Sequence, residues 1–256
     1  MNGTTTIWLT SLLAVGVASA IPLAATWWLA SRPATTAIWV PRLIFVASGA
    51  LLGAAVFHLI PEALAGAAPG RVTVLVMLGV LALALMERAI HALERPTSGE
   101  THEPHGHTGH LMPLGIASDA LHNVIDGALV ATAFLADPSL GIFAGVAIAL
   151  HELPRELGTF ALCVDGGMTP RRAILVNAAT GVLALLGAVS ALVIGADAGR
   201  FGELLVPFAA GNFLYLSAAI LTSRRAAPQG RRRSDYLLVL AGVLVTALLA
   251  GWHPPG

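Results

Sequence analysis

Asp119-Ala120-Leu121-His122-Asn123-Val124-Ile125-Asp126-Gly127 is the stretch that decides how this chain folds. It lies inside an apolar run near residues 112–136. Its polar side chains, Asp119, His122, Asn123 and Asp126, recur at spacings of three and four. On a helix those spacings make one stripe. A second stretch, His151-Glu152-Leu153-Pro154-Arg155-Glu156, repeats the theme inside the next apolar run, near 140–164. Ionisable groups in hydrocarbon cost a few kcal/mol or more each. One polar residue in such a helix is accounted for by an interhelical hydrogen bond. Two facing clusters of His, Asp and Glu point instead to an ion site.

The rest of the chain fits that reading. Of 256 residues, 56% are hydrophobic and only 11% charged, and mean hydropathy is +0.80. This excludes an ordinary soluble domain and predicts an all-α polytopic membrane protein. Eight apolar runs are long enough to span a bilayer, which takes roughly 20 residues. They lie near 7–30, 40–64, 72–93, 112–136, 140–164, 173–195, 204–222 and 236–252, and make one transmembrane domain over 1–256. The first has no positive charge before it and is too long for a signal-peptide core, so it is expected to span. Arg32-Pro33, Pro69-Gly70, the polar stretch 95–110, Asp137-Pro138, Gly166-Gly167, Gly199-Arg200 and the Arg-rich 224–233 mark the boundaries.

Arginine sets the expected orientation, because the chain contains no lysine. Arg32, Arg42, Arg88, Arg95, Arg171, Arg172, Arg224, Arg225 and Arg231 to Arg233 fall on one side of eight alternating spans. Only Arg71 and Arg200 fall on the other, and Arg155 is intramembrane. The positive-inside rule then places both termini outside the cytoplasm. The 231–233 cluster reads as a topological anchor, and no nucleic-acid partner is expected. The absence of lysine suits a high-GC bacterial genome, hence a bacterial inner membrane. The single cysteine, Cys163, excludes an internal disulfide.

In the fifth segment, Pro154 frees the carbonyl of Leu150 and predicts a kink. His151, Glu152, Arg155 and Glu156 surround it and are expected to face the fourth segment. Imidazole with carboxylate suits zinc and other first-row divalent metals, whereas an all-oxygen cage suits calcium or magnesium. In the second segment His58 and Glu62, again four apart, make a candidate entrance site, or an interfacial pair in contact with water. Glu87 and His91 share a face at the end of the third and read as an ordinary interfacial pair. The stretch 95–111 reads as a disordered, His-containing cytoplasmic loop between the third and fourth segments. There His102, His105, His107 and His110 are candidates for weak metal binding.

At these residues the chain resembles the ZIP (Zrt/Irt-like) family of divalent-metal transporters. The resemblance rests on Gly53 to Glu62, Asp119 to Gly127 and Leu150 to Gly158. It continues in Gly167-Met168-Thr169-Pro170 with Asn177, and in Ala210 to Tyr215. It implies an eight-helix bundle with inverted repeats, a possible homodimer, and transport of zinc toward the cytoplasm, with iron, manganese or cadmium in some members. The metal is substrate; no cofactor and no enzyme activity are implied. The implied site lies between the fourth and fifth segments. His122, Asp126 and His151 would ligate the transported metal, and Asn123 and Glu152, with Asp126 shared, a neighbouring second one.

The chain also departs from the family pattern. Arg155 stands where a His, Glu or Gln ligand is usual, Thr159 where an Asp is frequent, and Ala54 where many relatives carry Asp. Arginine cannot donate a lone pair. The expectation is that Arg155 replaces a second metal electrostatically, pairing with Glu152 or Glu156. Two other readings compete. One is a sensor or scaffold that binds metal without moving it, which Arg155 favours. The other is an intramembrane zinc hydrolase, which Arg155 disfavours because it breaks a His-Glu-x-x-His pair.

Overall fold

The computed structural model describes residues 3–93, 109–195, 198–225 and 233–250. These form eight long helices: α1 (Gly3–Ala30), α2 (Pro33–Gly66), α3 (Pro69–Leu93), α4 (Met112–Ala136), α5 (Pro138–Asp165), α6 (Pro170–Ile194), α7 (Ala198–Arg225) and α8 (Arg233–Ala250). A short 3-10 turn, Gly109–Leu111, leads into α4. The expected loop histidines His102, His105 and His107, with Arg95, Arg231 and Arg232, lie outside the described residues. Of His110 only the backbone is described.

Local chemistry sets the helix starts. Proline occupies the first turn of α2, α4, α5 and α6, where its missing N–H has no helical partner to lose. The Asp137 carboxylate accepts from the Ser139 and Leu140 amides at 2.7 and 3.3 Å and caps α5. Thr169 does the same for α6 through the Arg172 amide.

The molecule is apolar outside, and its interior joins an apolar core to a buried polar centre. Leu13, Trp27, Met77, Leu175, Val193 and Leu248 are among the large apolar side chains that point outward, as a hydrocarbon surround requires. Arg32 lies over the Trp28 ring at 4.4 Å, near the end of α1, an arrangement suited to the membrane–water boundary. Six helices are long and apolar enough to cross a membrane. The remaining two, α4 and α5, carry the polar stripes. At 25 and 28 residues both still exceed the length that a bilayer core demands.

Beside the α4–α5 contact, which carries the polar stripes, four pairings dominate: α4 with α6, α1 with α5, α2 with α8, and α3 with α7. The first two make one group of helices and the last two another, and α2–α5 and α4–α7 close the seam between them. Exchanging α1 with α6, α2 with α7, α3 with α8 and α4 with α5 maps this set of pairings onto itself. That pattern of pairings is the one expected of an inverted repeat.

Glycine brings the paired backbones together. A Cβ on Gly127 of α4 would stand 1.7 Å from the Ala184 carbonyl oxygen of α6, and one on Gly187 would stand 2.0 Å from that of Val124. Small residues permit such approach in membranes, where helix association rests on close packing. The α4 backbone that carries Asp126 is thereby seated firmly against α6.

Helix α2 is not uniform. Ala55–Leu59 form a π-helical turn, which the sequence reading did not foresee. Pro61 has no N–H to offer the Phe57 carbonyl, and the Ile60 amide bonds five residues back to Ala55. The widened turn carries His58.

Candidate metal centre

The α4 stripe faces inward. Asp119, His122, Asn123 and Asp126 are all buried, as are Glu152, Arg155, Glu156 and Thr159 of α5. The two sets meet across the α4–α5 contact in two adjoining compartments.

The first compartment surrounds Asp126. His122 Nε2 lies 3.3 Å from one carboxylate oxygen and His151 Nε2 lies 3.1 Å from the other. Ligand atoms from His122, Asp126, His151 and Glu152 all fall within 4.8 Å of one another. Two imidazoles and two carboxylates at this spacing form a donor set suited to a zinc-type ion. Neither nitrogen of buried His122 makes a hydrogen bond among the described residues. A buried imidazole with Asp126 beside it but no well-formed hydrogen bond is costly unless it serves as a ligand. Phe213 of α7 packs on the His122 ring at 4.7 Å between centroids and limits its rotation.

The second compartment surrounds Arg155. Its guanidinium pairs with Asp119 of α4, with Glu152 through Nε at 2.8 Å, and with Glu156 at 3.5 Å. Thr159 Oγ1 donates to Asp119 at 3.0 Å. Asn123 Nδ2 donates to the Asp119 backbone carbonyl at 3.1 Å and lies 3.4 Å from Glu156 Oε1. Asn123 therefore belongs to the Arg155 compartment, and Glu152 is common to both. Asn177 of α6 donates to the Glu156 carbonyl at 3.0 Å and ties α5 to α6.

Other candidate residues are arranged around this core. The His58 ring lies 5.7 Å from the His151 ring, and His58 Nε2 lies 3.8 Å from Glu62. Both side chains are about 40% exposed, so they connect the cluster to the surface. Glu87 and His91 lie elsewhere: Tyr215 of α7 donates to the Glu87 carboxylate, and His91 Nδ1 contacts the Glu87 carbonyl at 2.9 Å. Cys163 is buried and free of disulfide.

Arg155 separates two small cavities. One is lined by His122, His151 and Phe213 among others, the second by Ser118, Asp119 and Thr159. The second lies toward the N-terminal half of α4 and the C-terminal half of α5. From Glu62 and His58 to Thr159 and Ser118, a column of polar groups thus runs through the bundle.

Two contributors escaped the sequence reading. Phe213 was visible only as part of a matching segment, because nothing local to α7 says which ring it touches. Thr159 appeared as the loss of an acid, whereas its hydroxyl holds Asp119. The i, i+4 spacing from Arg155 was the available signal.

Known proteins similar to this chain include zinc transporters. The chain is 27% identical over 248 residues to zinc transporter YKE4 of Saccharomyces cerevisiae, covering 81% of this chain and 70% of that one. It is 39% identical over 102 residues to zinc transporter ZIP6 of Homo sapiens, covering 40% of this chain but 14% of the relative. With zinc transporter ZIP4 of Rattus norvegicus it shares 37% over 144 residues, 56% of this chain and 20% of the relative. Residues 114–250, which carry both polar helices, match the pattern described as ZIP zinc transporter. That match takes in more than half of the chain, and the protein belongs to the ZIP zinc transporter family.

Proposed function

We propose that this protein carries a divalent metal ion, zinc above all, across a bacterial inner membrane toward the cytoplasm, through the His122, Asp126, His151 and Glu152 cluster. The observation that carries this reading is the convergence of four ligand-type side chains from two helices, inside a bundle apolar on its outer surface. Iron, manganese and cadmium are the competing ions for the same donor set. The arginine-rich side, reached by the ends of α1, α3, α5 and α7, faces the cytoplasm, so both termini lie outside it.

In this reading a hydrated ion enters past Glu62 and His58, which are half-exposed. It exchanges water for the His151 and His122 imidazoles and the Asp126 carboxylate, with Glu152 at the inner edge. Binding must be tight enough to select and loose enough to release. Release requires the seam between the two helix groups to open on the Arg155 side. The loop 95–111, with His102, His105, His107 and His110, would then receive the ion. A homodimer in the lipid bilayer is the expected assembly.

The test is zinc entry into liposomes that hold a trapped zinc-sensitive dye, beside an Asp126→Ala control. Saturable entry by the wild type, absent in the control, is the expected result. Zinc bound without entry would favour a sensor, the reading that Arg155 supports. A folded protein that neither binds nor moves zinc would overturn the proposal.

A further inference from the structure

We propose that the Arg155 guanidinium is a built-in second cation, which confines the centre to one divalent ion by occupying a latent second metal position. The inference rests on the metal reading of the His122 cluster and concerns the compartment beside it. Asp119, Glu152 and Glu156 come from two helices and converge on one guanidinium. All four groups are buried. Three carboxylates gathered without a counter-ion in such surroundings would repel one another strongly or take up protons, so a cation there is what keeps them ionised. Arginine meets it permanently, because it stays charged and cannot serve as a ligand.

Glu152 makes the two compartments interdependent. It is within ligand reach of Asp126 and the histidines, and it also accepts from Arg155 Nε at 2.8 Å. A second divalent ion beside the guanidinium would share Glu152 with it and feel its full repulsion. With the guanidinium removed, the same oxygens of Asp119, Glu152 and Glu156, with the Asn123 amide oxygen available by rotation, form an oxygen-rich donor set for a hard or borderline divalent ion. Arg155 thus acts as a positioning residue: it holds three carboxylates in place and sets how many ions are bound.

The experiment counts metal. Full-length protein is loaded with Zn2+, passed through a desalting column and assayed for metal per chain. Differences between variants cancel any surface binding. Asp126→Ala is expected to lose one ion relative to wild type, which tests the underlying reading alone. Arg155→Gln is expected to gain one ion, Arg155→Lys none. Adding Glu156→Gln to Arg155→Gln is expected to remove the gain. If Asp126→Ala loses nothing, the metal reading fails. If Asp126→Ala loses one ion while folded Arg155→Gln gains none, the reading stands and this inference is overturned. Should Arg155→Gln fold poorly without metal, Zn2+ during purification is expected to restore its monodisperse elution, as a substitute for the lost cation. Failure of that rescue also overturns the inference.

Discussion

The seating of α4 on α6 gives a stability prediction whose sign is fixed by geometry. Replacing glycine by alanine within a helix normally gains about 1 kcal/mol from propensity. Gly16 in α1 has nothing within 4 Å of its would-be Cβ, so Gly16→Ala should show that gain. At Gly127 the added carbon would stand 1.7 Å from the Ala184 carbonyl oxygen. A carbon–oxygen contact needs roughly 3.3 Å, so one helix must retreat by roughly 1.5 Å. A carbonyl within a helix cannot swing aside as a side chain does. The overpacking cost should therefore approach about 3 kcal/mol, the upper part of the usual range. Less the propensity gain, the net loss is about 2 kcal/mol. For a chain of this size that corresponds to a fall in Tm of roughly 4–8 °C, against a rise of roughly 2–4 °C for Gly16→Ala. The assay is thermal unfolding of detergent-purified protein, both variants beside wild type. Equal stability of the two variants would refute the argument that this crossing is closed by contact at Gly127.

The remaining predictions concern the site. Phe213→Ala removes the ring that restrains His122 and should weaken zinc binding several-fold in calorimetry, with the number of bound ions unchanged. Thr159→Val deletes the hydroxyl that donates to Asp119; it should cost about 0.5–1.5 kcal/mol of stability in thermal unfolding and leave zinc stoichiometry alone. His58→Ala should raise the KM for zinc entry into liposomes while high-affinity binding by detergent-solubilised protein persists, because His58 borders the cluster without completing it. Tyr215→Phe breaks the link to Glu87 between α7 and α3. It should change transport rate at saturating zinc but not zinc affinity.

Much of the architecture could be read from residue order alone. Hydropathy located the eight helices, and Asp137-Pro138 and Gly166-Gly167 marked two boundaries, at or just beyond which the structure builds proline-led first turns. The stripe from Asp119 to Asp126 was legible because helical period and intramembrane cost are both local properties. What eluded the sequence was partnership across helices. Asn123 adjoins His122 in the chain, yet its amide turns toward Asp119 and Glu156 instead of the histidine cluster, a matter of rotation about one helix axis. The π-helical turn at Ala55–Leu59 was hidden for another reason: Pro61 announces a lost hydrogen bond, but not how the preceding carbonyls will find new partners. The Phe213 contact depends on how α7 docks against α4, which no local pattern encodes.

The exchange of helix pairings has a consequence for the symmetry of the centre. Exchange of α4 with α5 sets His122 against His151, Asn123 against Glu152, and Asp126 against Arg155. Two of these positions keep a polar group on both sides, and the third reverses its sign. A cradle with matched halves would look alike to an ion from either face of the bilayer. Here one approach leads through Glu62 and His58 to Asp126, while the opposite approach passes Ser118, Asp119 and Thr159 and reaches a guanidinium enclosed by three carboxylates. The centre is therefore asymmetric by composition: helix pairings related by a two-fold exchange carry opposite charges at one matched position, so the two faces of the bundle present it with different orders of charge.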